Sequence, residues 1–166
     1  MSASAQVRDY PATSVENPEQ FQRILLASEG RAIPTAAVDR AIELASRSGA
    51  SVHVFTIARV HGVSFGLQTP GLLPTKSEWA EQRDIVAKAI ARLKRKGIEA
   101  TGHVVGTRKA AKSICAEAAE HGCEAIVMAA DPDKNRFTGD FLWSQEPQRV
   151  RRRSKVPVFL VVDPEG

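Results

Sequence analysis

Short apolar runs alternate along this chain with stretches in which apolar positions recur every three or four residues. The first run is Arg23–Ala27, ended by Ser28, Glu29 and Gly30. After Pro34 and Thr35, the residues Val38, Ala41, Ile42 and Ala45 fall at i, i+3, i+4 and i+7, which predicts one buried helix face, and Gly49 closes it. Ser51–Ile57 is the next run. A helix between two such runs makes a crossover, so the two strands are expected to be parallel. The pattern then repeats. A helix is predicted from Glu78 to Lys96, with Ser77 as its cap, Trp79, Val86, Ile90 and Leu93 on one face, and Gly97 after it. A strand over Glu99–Val105 follows, then a helix from Lys109 to His121 that turns Ala111, Ile114, Cys115 and Ala118 inward. Ala125–Met128 is a fourth strand. Gln145–Arg153 reads as a short helix with Pro147 in its first turn, and Val158–Val162 is a last strand that is apolar on both faces. Strict alternation of this kind predicts the α/β class: an open, doubly wound sheet of five parallel strands with helices on both faces.

Three segments break the pattern. Residues 1–20 are rich in Ser, Ala, Pro and Glu and show no apolar period, so they are expected to form a flexible tail ahead of one domain at 21–163. Arg59–Lys76 holds three glycines and two prolines and is expected to be an irregular connection. The stretch after the fourth strand turns polar at once, with Asp131, Pro132, Asp133, Lys134 and Asn135. Ligands of open α/β sheets bind beyond the carboxyl ends of the strands, so this loop is where a site is expected, facing the strand ends at Ser28–Glu29 and Phe55–Thr56.

Composition narrows the possibilities. A length of 166 residues fits one domain with a substantial core, and 43% hydrophobic with 25% charged residues is an ordinary globular balance. The net charge of +4 permits an anionic partner without requiring one. Much of it lies in Arg149, Arg151, Arg152, Arg153 and Lys155, which helical spacing spreads around the helix, near the end whose dipole favours cations. No aromatic or polar base readers are interleaved with them, so nucleic-acid binding is not expected. No apolar run approaches the length of about 20 that spans a bilayer, and the first residues lack an apolar signal core. Membrane insertion is therefore not expected and a cytoplasmic location is. Cys115 and Cys123 are eight apart, outside any zinc or redox spacing, and read as free thiols. His53, His61, His103 and His121 give no pattern for a nucleophilic or metal site, and structural or solvent roles are expected for each.

Three blocks carry a resemblance to a known family: ILLASEGRAIPTAAVDRAIELASRSGASVHVFTI, GHVVGTRKAAKSICAEAAEHGCEAIVMA and RVRRRSKVPVFLVV. Over about Phe21 to Asp163 the chain resembles universal stress protein domains. The resemblance implies strand order 3-2-1-4-5 and a homodimer through the last strand, Val158 to Val162. It also implies one of two behaviours, because the family divides into members that bind ATP or related adenine nucleotides and members that do not. Binding members share G-x2-G-x9-G-[ST] after the fourth strand, where glycines let backbone N–H groups approach phosphates. Here Ala129 and Pro132 stand at the first two glycines, and Ser144–Gln145 at the last pair. Proline has no N–H to donate. Asp131 and Asp133 would repel a phosphate, with Lys134 and Arg136 in partial opposition. Glu29 occupies the place of the acidic residue that meets base or ribose.

The expectation is thus a non-catalytic stress-response or regulatory protein that acts through contacts with a protein partner, with a degenerate crevice and no cofactor. The alternative is an adenine-nucleotide (ATP, AMP or cAMP) binder that uses Ser28, Glu29, Gly30, Ala129, Lys134, Ser144 and Gln145. Slow ATP hydrolysis is a further alternative, in which Glu29, Asp131 or Asp133 would have to act as acid or base. Phe137, Phe141, Leu142 and Trp143 are expected to pack down into the space a nucleotide would take, with an exposed patch for a partner as the alternative.

Overall fold

The computed structural model describes residues 6–10, 21–60, 73–131 and 145–162. Its strands are β1 (Gln6–Tyr10), β2 (Arg23–Ser28), β3 (Ser51–Arg59), β4 (Ala100–Thr107), β5 (Ala125–Ala130) and β6 (Val158–Val162). Its helices are α1 (Thr35–Ser48), α2 (Lys76–Arg95), α3 (Ala110–Glu120) and α4 (Glu146–Arg153). The strands form one sheet in the order β1-β6-β5-β2-β3-β4. From β2 to β6 all neighbours are parallel. Numbered from β2, these five strands have the order 3-2-1-4-5, as the resemblance implied.

At residues 6–10 a sixth strand stands where a flexible tail was expected, while residues 1–5 and 11–20 of that tail lie outside the described residues. Gln6–Tyr10 pairs antiparallel with the last strand, in a register running from Gln6 opposite Val162 to Tyr10 opposite Val158. The edge of a sheet carries a row of unpaired N–H and C=O groups, and an antiparallel segment can satisfy them without a crossover helix. The same pairing occupies the edge through which a homodimer was expected.

Of the parallel strands, β2, β3, β5 and β6 are buried along nearly their whole length, because helices cover both sides of the sheet, whereas β4 at the edge is mostly exposed or half-buried. Alternate residues divide the core in two. Ile24, Leu26, Val52, Val54, Val127 and Val161 pack with α1 and α2. Leu25, Phe55, Ile57, Ile126, Met128 and Leu160 pack with α3 and α4. Phe159 of β6 meets Phe21 edge-on at 6.2 Å between ring centroids, and the Arg40 guanidinium lies 5.3 Å over its ring. No described helix is long and apolar enough to cross a membrane.

The helix ends follow the expected chemistry with one correction. Gly49 and Gly97 take positive φ of 68° and 75° just past α1 and α2. The cap of α2 is Thr75 rather than Ser77: the Thr75 hydroxyl accepts the Glu78 N–H at 3.2 Å. Either hydroxyl satisfies the capping rule, and the chain enters the helix two residues earlier than the apolar spacing implies. Deeper in α2, Val86 and Ile90 sit directly over Gly102 of β4. A Cβ at Gly102 would lie 2.4 Å from Val86 Cγ1 and 2.7 Å from Ile90 Cδ1. Gly102→Val is therefore expected to cost about 1–3 kcal/mol by overpacking. A urea midpoint equal to that of the parent would show that α2 can lift off the sheet at no cost.

Candidate functional site

The strand order reverses between β2 and β5. From β2 the chain proceeds to β3 and β4 on one side, whereas β5 and β6 lie on the other. This is the topological switch point, where the carboxyl ends of neighbouring strands diverge and leave a crevice. Ser28 and Glu29 lead out of β2 there, and Ala130 and Asp131 out of β5.

An ion-pair brace crosses this point. The Arg31 guanidinium binds the Glu29 carboxylate through Nε and the Asp131 carboxylate through an Nη nitrogen, the latter at 2.7 Å. Glu29 is 1% exposed, whereas the side chains of Arg31 and Asp131 are 19% and 29% exposed. Burial pushes the Glu29 carboxyl above its ordinary pKa, and the charge of Arg31 opposes that shift without cancelling it.

The backbone of the turn is tied down as well. Ser28 Oγ accepts the Gly30 N–H at 3.2 Å and donates to the Arg31 carbonyl at 2.5 Å. Arg59 Nε donates to the Glu29 carbonyl at 3.1 Å, and Gln82 Nε2 to the Gly30 carbonyl at 2.8 Å. Gly30 takes φ of 123°, and a Cβ there would meet the Ile57 carbonyl at 3.0 Å. Only glycine fits this turn without strain.

Beside the crevice lies a cleft of about 280 Å³ at the carboxyl ends of β3 and β4 and the starts of α3 and α4. Arg59, Arg108, Gln145 and Arg149 line it together with Ile57 and Glu146. Its volume is at the small end for a small-molecule site, which typically runs from about 300 to 1,000 Å³. Gln145 is exposed and precedes α4, where its Oε1 accepts from Arg149 at 3.3 Å.

The structure thus brings Ser28, Glu29 and Gly30 together at the end of β2, with Ala129 on the neighbouring strand β5 and 9% exposed. Gln145 lies in the adjoining cleft. Lys134 and Ser144 lie outside the described residues, as do Phe137, Phe141, Leu142 and Trp143. The sequence reading missed Arg31 altogether and took Asp131 as a group that repels phosphate or as a candidate acid or base, not as an ion-pair partner. A hint was present in the spacing, because an arginine two residues past a buried strand-end carboxylate is well placed to neutralise it. That Asp131 is the second partner depends on β5 lying beside β2, which no local pattern reveals.

The cysteines match their bland reading. Both are free. Burial pushes the Cys123 thiol up to about 11 and raises that of Cys115, so both stay protonated and unreactive at neutral pH.

Comparison with known proteins agrees with this architecture. The chain superposes on a universal stress protein from Archaeoglobus fulgidus with a TM-score of 0.63 at 19% identity, covering 84% of this chain and 98% of that one. A universal stress family protein from Burkholderia pseudomallei gives 0.62 at 22% identity, covering 90% and 98%. The Archaeoglobus fulgidus universal stress protein in complex with dAMP gives 0.61 at 19% identity, covering 84% and 97%. A search of the curated proteins gives no significant match. The model of the universal stress protein family matches residues 20–162, nearly the whole ordered sheet and its helices, and the chain belongs to that family.

Proposed function

We propose that this protein is a non-catalytic stress-response or regulatory member of its family, acting through protein contacts, with a nucleotide crevice that has lost its grip. The observation that carries this reading is the Arg31 brace. The carboxylate that the family resemblance assigns to base or ribose is Glu29, and here it is buried and held by Arg31, which also binds Asp131 across the switch point. A nucleotide would have to displace an ion pair in a low-dielectric setting before it could reach Glu29. The substitutions of Ala129 and Pro132 for the family's glycines act in the same direction, because they remove close backbone approach and a donor.

Adenine-nucleotide binding is the second reading, and one observation favours it. Arg59, Arg108 and Arg149 meet at one cleft beside the crevice, a cationic setting that suits a phosphate, and one structural neighbour is in complex with dAMP. Isothermal titration of the full chain with ATP, AMP and cAMP separates the two. The expected result is no saturable binding at up to about 1 mM, where the free energy of association would be only about −4 kcal/mol. Micromolar affinity for any of the three would establish the second reading in place of the first. Steady phosphate release from ATP that is lost in Glu29→Ala would overturn both.

Self-association through the last strand belongs to the same proposal, with a condition added by β1. The edge of β6 is paired within the chain. A dimer built on that edge needs β1 to leave in both protomers.

A further inference from the structure

We infer that His53, His103, Glu117 and His121 form a binding site for one divalent transition-metal ion of the zinc class. The four side chains offer ligand atoms that all lie within 4.8 Å of one another. Three imidazole nitrogens converge on the same carboxylate oxygen, Glu117 Oε1: His53 Nε2 at 3.0 Å, His103 Nδ1 at 2.8 Å and His121 Nε2 at 3.0 Å. These are three of the four histidines in the chain, gathered from two strands and a helix end.

The fold builds this arrangement in steps. β3 and β4 are paired with His53 opposite Thr101 and Phe55 opposite His103, so His53, Thr101 and His103 share one face of the sheet. Helix α3 lies over that face and carries Glu117. His121, one turn further on, is the C-cap, after which Gly122 takes φ of 62° and ends the helix. The His53 and His121 rings stack with centroids 4.3 Å apart and 26° between planes. The cluster lies toward the amino ends of β3 and β4, at the opposite end of the strands from the crevice of Glu29 and Arg31.

The donor set and geometry fit this ion class. Tetrahedral zinc with bonds of about 2.0–2.1 Å spaces its donors about 3.3 Å apart. The three carboxylate–nitrogen distances need to lengthen by a few tenths of an ångström, and the wider nitrogen–nitrogen spans need to contract. The side chains divide suitably for that adjustment. His53 and Glu117 are each 6% exposed and fixed by packing, whereas His103 and His121, already turned toward Glu117, are 51% and 41% exposed and less confined, so they can make the small adjustment. His53 also has a partner for its other nitrogen: Nδ1 lies 2.7 Å from Thr101 Oγ1. When Nδ1–H donates to that hydroxyl, Nε2 presents its lone pair toward the ion, as supporting groups in metal sites do. Three imidazoles and one carboxylate suit zinc, copper or nickel, whereas calcium and magnesium favour all-oxygen sets. Four protein ligands fill a tetrahedral shell, so the ion ties α3 to β3 and β4 and does not open a catalytic position.

The test is titration of the chelator-treated, dialysed full chain with zinc chloride, followed calorimetrically. The expected result is one ion per chain with micromolar or tighter affinity. Cobalt(II) in its place should give the visible absorption of a four-coordinate complex. His103→Ala and His121→Ala change half-exposed residues and should leave the fold intact by circular dichroism, yet each should weaken zinc at least about tenfold, as should Thr101→Val through the His53 tautomer. His61→Ala should keep the parent affinity. The inference is overturned if the parent chain binds no zinc below about 100 µM, or if the folded His103→Ala/His121→Ala double variant binds it as tightly as the parent.

Discussion

Replacing Arg31 with alanine is expected to destabilise the protein by about 2–4 kcal/mol at neutral pH, and by less in mild acid. Removing one partner of a buried ion pair typically costs about 3–5 kcal/mol, because the remaining charge stays buried without compensation. The estimate is lowered here because the Arg31 side chain keeps 19% of its exposure and Asp131 keeps 29%, so water offsets part of the loss. The pH dependence follows from Glu29. Its pKa is already raised in the folded protein, chiefly by burial, with Arg31 as the largest opposing influence. A raised folded-state carboxyl favours folding below its unfolded pKa of 4.5 and loses that contribution as pH rises through the folded value. Without Arg31 the folded value rises further, so the deficit is expected to be larger at pH 8 than at pH 5, because a more acidic solution supplies the proton that relieves the stranded Glu29 carboxylate. Urea unfolding of parent and Arg31→Ala proteins at the two pH values measures this directly. Equal deficits at both would mean that Glu29 is not the group left stranded.

Deletion of residues 1–20 is expected to strengthen pairing of two chains through the β6 edge. The truncation removes β1 and leaves the Val158–Val162 edge without its antiparallel partner. That edge strand is VFLVV, and its first four residues are buried, so an unpaired ladder would lie on an apolar element. In the full chain each protomer must release β1 before pairing with another copy, and the cost counts twice. If docking of β1 is worth only about 1.4 kcal/mol, the dimer is about 100-fold weaker than in the truncated chain. Native mass spectrometry of both forms over a concentration series reports subunit number and any co-purified nucleotide together. A truncated protein that stays as monomeric as the full chain would remove β6 from consideration as the self-association edge.

The five parallel strands and the four described helices were legible in the sequence because their signals are local. Val38, Ala41 and Ala45 are buried on α1 as their spacing requires, and Gly49 and Gly97 stand where helices end. β1 was not legible. Gln6, Val7, Arg8, Asp9 and Tyr10 neither alternate nor run apolar, and this segment becomes a strand because β6 offers it an edge. The histidines illustrate the same limit. Glu117 and His121 are four apart, a spacing that puts them on one helix face, but nothing nearby in sequence ties them to His53 and His103. Parallel pairing of β3 with β4, under α3, does that.

What the sequence determined by itself was the order and type of the elements, hence the α/β class and the place of the crevice, since period, caps and turn residues act within a few residues of one another. Only the tertiary structure decided what those elements bring together: Arg31 between Glu29 and Asp131, β1 on the edge of β6, and three imidazoles around one carboxylate. Charges and ring nitrogens interact through space, over a few ångströms, and the folded sheet closes separations of 100 residues between Arg31 and Asp131 and 64 between His53 and Glu117 to bring them that near.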